Sequence, residues 1–151
     1  MDLRVELTPP PVSPHRLDEL CREILRIADL LLGGAANAAE EIAAFNARTG
    51  HHYTALDFAE HDGGRSLADF ALEAARPAAP RIAGITTGEL VEIVRRVLAG
   101  GPESGYYLRL LEANAAHPRV ADLIFRPPAD LRDAAAEQIV DEALRYRPIA
   151  L

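Results

Sequence analysis

Glycine pairs and prolines divide this sequence into short segments, and within most of them the apolar residues recur every three or four positions. That spacing places apolar side chains on one face of an α-helix. It is clearest between Ser13-Pro14, typical of a helix start, and Gly33-Gly34, typical of a helix end. The apolar stripe between them consists of Leu17, Leu20, Ile24, Ile27 and Leu31. No sustained alternation of apolar and polar residues indicates a strand, so we predict an all-α fold.

A proline-spaced joint, Arg76-Pro77-Ala78-Ala79-Pro80, is the best candidate for a domain boundary. Further helices are predicted to start at Asn37, Thr54 and Ser66 before the joint, and at Thr86 or Thr87, Ser104 and about Asp130 after it. Asp122–Phe125 is predicted as a short apolar turn. We therefore predict a flexible arm over residues 1–14, an N-terminal helical region over 15–80 and a C-terminal module over 84–151.

The charge of the chain limits its partners. The formal net charge is -7, and all the basic residues are arginines. Nucleic-acid binding needs a basic surface, so we expect no nucleic-acid partner, whereas an acidic protein is suited to a basic protein partner. Met1 to Pro14 is too polar for a signal peptide, and no apolar run approaches the ~20 residues of a membrane span. We expect a cytoplasmic protein with no membrane partner. The single cysteine, Cys21, is interpreted as a buried thiol.

One group of residues has the chemistry of metal ligands: His51, His52, Asp57 and His61. Asp57 and His61 are four positions apart and could share a metal on one helix face. The HExxH order of a metalloprotease is absent, and a solvated polar turn is the preferred interpretation. Because the sequence also contains no phosphate-binding glycine loop and no recognisable triad, we predict no catalytic residues, no cofactor and no enzymatic activity.

The most specific motif is the string from His117-Pro118 through Asp122-Leu123-Ile124-Phe125 to Pro127. Together with the helices around it, this string resembles the colicin and pyocin immunity proteins over residues 84–151. The resemblance implies a C-terminal four-helix bundle with a short third helix, and the N-terminal helices would be an extension. It also implies a bacteriocin immunity protein, which binds and neutralises a cognate toxin by occlusion and so protects the producing cell. A nuclease bacteriocin is one candidate for that toxin.

In that family the short third helix and the helix before it form the toxin-binding face. The resemblance places the shared anchors at Asp122 and Phe125, with Arg126 where the family has a second aromatic residue. Specificity positions fall on Ser104, Leu108 and Glu112. From the residues alone, Phe125 could lie in the core or at the surface, and Asp122 could cap the short helix. The alternative functions are a helical protein–protein adaptor that reuses the immunity fold and a metal-dependent enzyme.

Overall fold

The computed structural model describes residues 2–59 and 66–146, and within them the chain is entirely helical, which confirms the predicted all-α fold. By contact the chain divides into two compact units. Unit 2 is the continuous stretch Pro10–Ala78, whereas unit 1 combines the residues up to Pro9 with those from Ala79 onward. Among the described residues, no helix combines the length and the apolar content that a membrane span requires.

Unit 2 contains four helices in its described part: α1 (Pro14–Leu32), α2 (Ala38–Thr49), α3 (Ala55–Ala59) and α4 (Leu67–Ala75). The predicted caps of α1 and α4 are confirmed, because the Ser13 hydroxyl accepts the N–H of Arg16 and the Ser66 hydroxyl accepts that of Asp69. Asn37 stands at the N-cap of α2 but makes no side-chain cap bond. Gly63-Gly64, another of the glycine pairs that divide the sequence, lies outside the described residues.

The core of unit 2 combines the apolar stripe of α1 with an aromatic cluster. Phe45, Phe58 and Phe70 are fully buried, and the rings of Phe45 and Phe58 meet edge-on with their centroids 5.4 Å apart. Such an edge-to-face pair suits the ring quadrupoles. Tyr53 borders the cluster, 4.9 Å from Phe70 between centroids, and its hydroxyl donates to Glu73. Aromatic packing therefore holds α2, α3 and α4 against α1.

Unit 1 contains α5 (Thr87–Ala99), α6 (Ser104–Asn114), α7 (Val120–Phe125) and α8 (Ala136–Arg145). Helix α5 packs against α6 and α8, and α7 contacts both α6 and α8. The core is built mainly from aliphatic side chains, including Ile93, Val94, Leu110 and Ile139, and Tyr107 is the aromatic residue of this cluster. The third helix is short, with six residues, as the resemblance implied.

The last helix of unit 1 begins later than predicted. Residues Ala129–Leu131 form only a turn of 3-10 helix, and α8 starts at Ala136 instead of about Asp130. Asp133 lies between them with a φ of 56°. A residue in this left-handed region cannot continue a right-handed helix, so the segment is broken there.

The first residues of the chain include structure that the predicted flexible arm over 1–14 did not foresee. Val5–Leu7 forms a turn of 3-10 helix, and Leu7 is fully buried in the core of unit 1. Pro14, the last residue of that predicted arm, begins α1 in unit 2. The three-part division of the chain stays a prediction.

Candidate binding surface on unit 1

The predicted specificity positions lie along α6. Its buried face includes Tyr107, Leu110 and Leu111, which recur at helical spacing. Ser104 is the first residue of α6 and is partly buried, Leu108 packs partly against the core, and Glu112 is exposed. Leu108 and Glu112 are one helical turn apart, so a partner lying along this helix could contact both.

Helix α6 is fixed to α5 by a hydrogen-bonded cation. The Arg96 guanidinium on α5 donates to the Tyr107 hydroxyl at 2.7 Å and lies over the tyrosine ring, 5.3 Å from its centroid. It also donates to the carboxylate of Glu92 at 3.0 Å. This bond lowers the pKa of Glu92 and raises that of Arg96. The contacts give α6 a defined position, which a specific binding surface requires.

Helix α7 divides its side chains between the core and the surface. Val120 and Leu123 are buried, whereas Phe125 is 61% exposed at the end of the helix. Asp122 is partly buried and does not cap α7: the N-cap is Arg119, without a side-chain cap bond. Within the described residues the Asp122 carboxylate has no hydrogen-bond or ion-pair partner. Helix α7 thus presents an aromatic ring and a carboxylate with unused acceptors.

Arg126 ends α7, and its exposed side chain makes no hydrogen bond or ion pair to the described part of the chain. Its backbone N–H donates to the Asp122 carbonyl at 2.8 Å and closes the last turn of the helix. Arg126 directly follows Phe125 in the sequence. Its guanidinium is therefore accessible to a partner.

A cleft that the sequence did not predict opens beside α7. Its volume is about 300 Å³, and it lies between α7, the 3-10 turn and the start of α8. The wall combines apolar residues with two charged ones, Arg132 and Asp133; the apolar ones include Leu123, Ile124, Pro127, Leu131 and Ile139. The prolines around Phe125 were a signal of irregular backbone, but the cleft depends on how distant helices pack.

The residues of the metal alternative make other contacts where they are described. His51 is buried, with its ring stacked on Tyr53 at 4.9 Å between centroids and Nε2 2.7 Å from the Arg76 carbonyl. Asp57 accepts the N–H of Thr54 at the predicted helix start, and His52 is exposed. His61 lies outside the described residues. Within the described part of the chain, no three His, Cys, Asp or Glu side chains are grouped to hold a metal.

The single cysteine lies on α1 in unit 2. Cys21 is partly buried rather than fully buried, and it packs against the core of that unit. Burial, with a smaller effect of Asp18, raises the pKa of the Cys21 thiol. The thiol is therefore mainly protonated at neutral pH, as a packing residue would be.

Comparison with known proteins addresses unit 1. Residues 82–148 match the family described as colicin immunity protein / pyocin immunity protein. The resemblance predicted for the C-terminal half is confirmed. The matched segment contains α5 to α8 and none of unit 2. No match to the chain is found among the curated proteins or among the solved structures.

Proposed function

We propose that this protein is a bacteriocin immunity protein, which binds a cognate toxin and neutralises it by occlusion. The observation that carries the proposal is the family match over residues 82–148, because it includes the four α-helices described for unit 1, α5 to α8. Proteins of this kind act by stoichiometric binding, so the proposal requires neither turnover nor a cofactor. The cytoplasmic location stays a prediction.

The proposed toxin-binding surface is formed by α6 and α7. Phe125 is its aromatic anchor, since a large exposed ring can fill a pocket of the partner and lose its hydration there. Asp122 adds a carboxylate that a basic toxin residue could pair with. Ser104, Leu108 and Glu112 on α6 would distinguish one toxin from another, and Arg126 would pair with an acidic or carbonyl group of the partner.

The decisive experiment uses the full chain and the toxin whose gene lies beside this one. We expect the purified protein to abolish the toxin's activity at a 1:1 ratio and to co-elute with it. A nuclease toxin would be tested by DNA or RNA cleavage, and a toxin of another class by its own activity. Absence of both binding and inhibition, with a toxin shown to be active, would contradict the proposal.

A matched pair of variants tests the position of the surface. Asp122→Asn keeps the size of the side chain and removes its charge, and Asp130→Asn makes the same change on the exposed 3-10 turn. We expect Asp122→Asn to weaken toxin binding about tenfold and Asp130→Asn to leave it within about twofold, because charges at the contact centre contribute more than rim charges. Equal effects would place the interface elsewhere on unit 1.

The alternative is a helical adaptor that uses the immunity fold for a different protein contact. One observation favours keeping it, because unit 2 lies outside the family match. The resemblance also implies that Arg126 stands where the family has a second aromatic residue. Two results together would decide for the adaptor. The protein would form a complex with a specific non-toxin protein, and Phe125→Ala would abolish that complex, while the toxin encoded by the neighbouring gene would not bind.

A further inference from the structure

The N-terminal segment contributes to the core of unit 1 from the opposite end of the sequence. Leu7 has no exposed surface and belongs to the same buried cluster as Val94, Leu110 and Ile139. Leu3 packs partly against that cluster, whereas Val5 on the same turn is 78% exposed. The segment therefore has an inner side that packs and an outer side that does not.

Arg4 forms a second attachment, to the beginning of α5. Its guanidinium donates to both carboxylate oxygens of Glu89, with Nε–Oε2 at 2.8 Å and Nη2–Oε1 at 3.2 Å. Nη2 also lies 3.4 Å and 3.3 Å from the carbonyl oxygens of Ala83 and Gly84. A two-point arginine–carboxylate pair fixes orientation as well as distance.

Glu89 is already engaged in holding the first turn of α5. Its Oε1 accepts the N–H of Thr86, and the Thr86 hydroxyl accepts the N–H of Glu89, which is a reciprocal capping box. Arg4 thus binds the carboxylate that caps the helix. Its hydrogen bond to Glu89 is the main reason why the pKa of Glu89 lies below its ordinary value.

We propose that residues 3–7 form a strap that completes unit 1: Leu7 closes its core and Arg4 holds the capped start of α5. The strap lies outside the matched segment 82–148. The immunity-like unit of this chain is then built from two separate pieces of sequence, and unit 2 is an insertion between them. The Arg76 Nε donates to the Pro10 carbonyl at 3.0 Å, so unit 2 brings its own two ends together, as inserted units commonly do.

Hydrogen exchange on the full chain tests the strap independently of any toxin. We expect Leu7→Ala to speed amide exchange in α5 by roughly 30-fold or more, because a large-to-small change in a closed core opens the structure around it. Exchange in α1 and α2 of unit 2 should stay within about twofold. Val5→Ala is the matched control, since it truncates an exposed neighbour, and it should leave α5 unchanged.

A surface variant keeps the test decisive if Leu7→Ala fails to fold. The Arg4 side chain is 41% exposed and contributes no apolar residue to the core, so we expect Arg4→Ala to fold and to speed exchange in the first turn of α5 about threefold. Glu89→Gln retains the capping box, which accepts glutamine, and loses the ionic partner of Arg4. In the double variant, exchange in the first turn of α5 should rise by less than the combined effect of the two single changes, because both remove the same ion pair.

Two results would overturn the proposal. One is an equal effect of Leu7→Ala and Val5→Ala on exchange in α5, which would mean that the buried leucine does not support unit 1. The other is strictly additive effects of Arg4→Ala and Glu89→Gln, together with no change in α5 for Arg4→Ala. Failure of the unchanged protein to bind the toxin would concern the proposed function and leave the strap unaffected.

Discussion

The two units use phenylalanine in opposite ways. The chain has four phenylalanines, and three of them, Phe45, Phe58 and Phe70, are fully buried in unit 2. The fourth, Phe125, belongs to unit 1 and is 61% exposed. The core of unit 1 is mainly aliphatic and contains Tyr107 but no phenylalanine. An aromatic side chain in unit 2 therefore serves packing, whereas the exposed ring of α7 contributes little to the core and is available to a partner.

Charge is also divided unequally between the units. Unit 2 has 11 acidic and 6 basic residues, a formal charge of -5, whereas unit 1 has 12 and 10, a formal charge of -2. The acidity that favours a basic partner thus belongs mainly to the part of the chain outside the family match. If the toxin is basic, long-range attraction would come mostly from unit 2, and specific contact from α6 and α7.

The largest effect on stability is expected from truncating the aromatic core. Phe45→Ala should lower the free energy of unfolding of unit 2 by about 3–5 kcal/mol, because it removes buried surface and leaves a cavity. Leu56→Ala, at an exposed position on α3, should change it by less than about 0.5 kcal/mol. Denaturant unfolding followed by hydrogen exchange would measure both. Similar losses would show that the aromatic cluster is not the centre of this unit.

The opposite phenylalanine should show the opposite behaviour. Phe125→Ala should leave the unfolding free energy within about 0.5 kcal/mol, since most of the ring is already in water. In the proposed function it should raise the Kd for the toxin about 30-fold, a loss of about 2 kcal/mol of binding energy. Leu144→Ala, another exposed apolar residue of unit 1, is the control. If Phe125→Ala lowers the unfolding free energy as Phe45→Ala does, Phe125 is a core residue and the two units do not differ in their use of phenylalanine.

Helix capping gives a smaller and more local difference. Ser66 caps α4 by a single side-chain bond, whereas Thr86 shares a reciprocal capping box with Glu89. Thr86→Ala should cost about 1 kcal/mol of unfolding free energy, at least as much as Ser66→Ala. Thr87→Ala, one position into the helix and exposed, should be neutral or slightly stabilising because alanine has the higher helix propensity. Calorimetric melting of the three variants would rank them.

The smallest expected difference is in the response to acid. The hydrogen bond from Arg4, followed by that from the Thr86 backbone, lowers the pKa of Glu89 below its ordinary value of 4.5. Its contribution to stability is therefore present above pH 4.5 and is lost as the pH falls through the lower pKa of the folded state. Glu89→Gln should flatten this part of the profile in unit 1, as measured by hydrogen exchange from pH 6 downward. Unit 2 should respond as in the unchanged protein.

Local sequence signals accounted for much of the fold. Helical spacing and caps such as Ser13 and Thr86 act within a few residues of one another, so the starts of α1 and α5 could be read directly. The predicted start of α8 is wrong because the left-handed backbone falls on Asp133, whereas glycine is the residue that usually indicates such a conformation. The burial of Leu7 was not foreseen either, since it depends on contacts with residues far along the chain.

The candidate surface was predictable only through the resemblance. Spacing alone could not distinguish a buried from an exposed Phe125, because α7 is too short to show a full helical repeat. The partial burial of Leu108 and the cleft beside Ile124 depend on the angles at which helices meet, which no local pattern encodes. The assignment of these residues to a toxin interface stays a prediction.

The hydrogen bond between Arg76 and Pro10 has a consequence for the order of folding. Arg4 and Glu89 are 85 residues apart in sequence, and bringing them together in an unfolded chain means closing a long loop. If unit 2 folds first, its two ends meet across a separation of 66 residues, and the loop that remains is about 19 residues long. The entropic cost of closing the loop then falls by about 1 kcal/mol. An inserted unit that folds first can in this way shorten the loop that its neighbour must close, and so speed the folding of that neighbour.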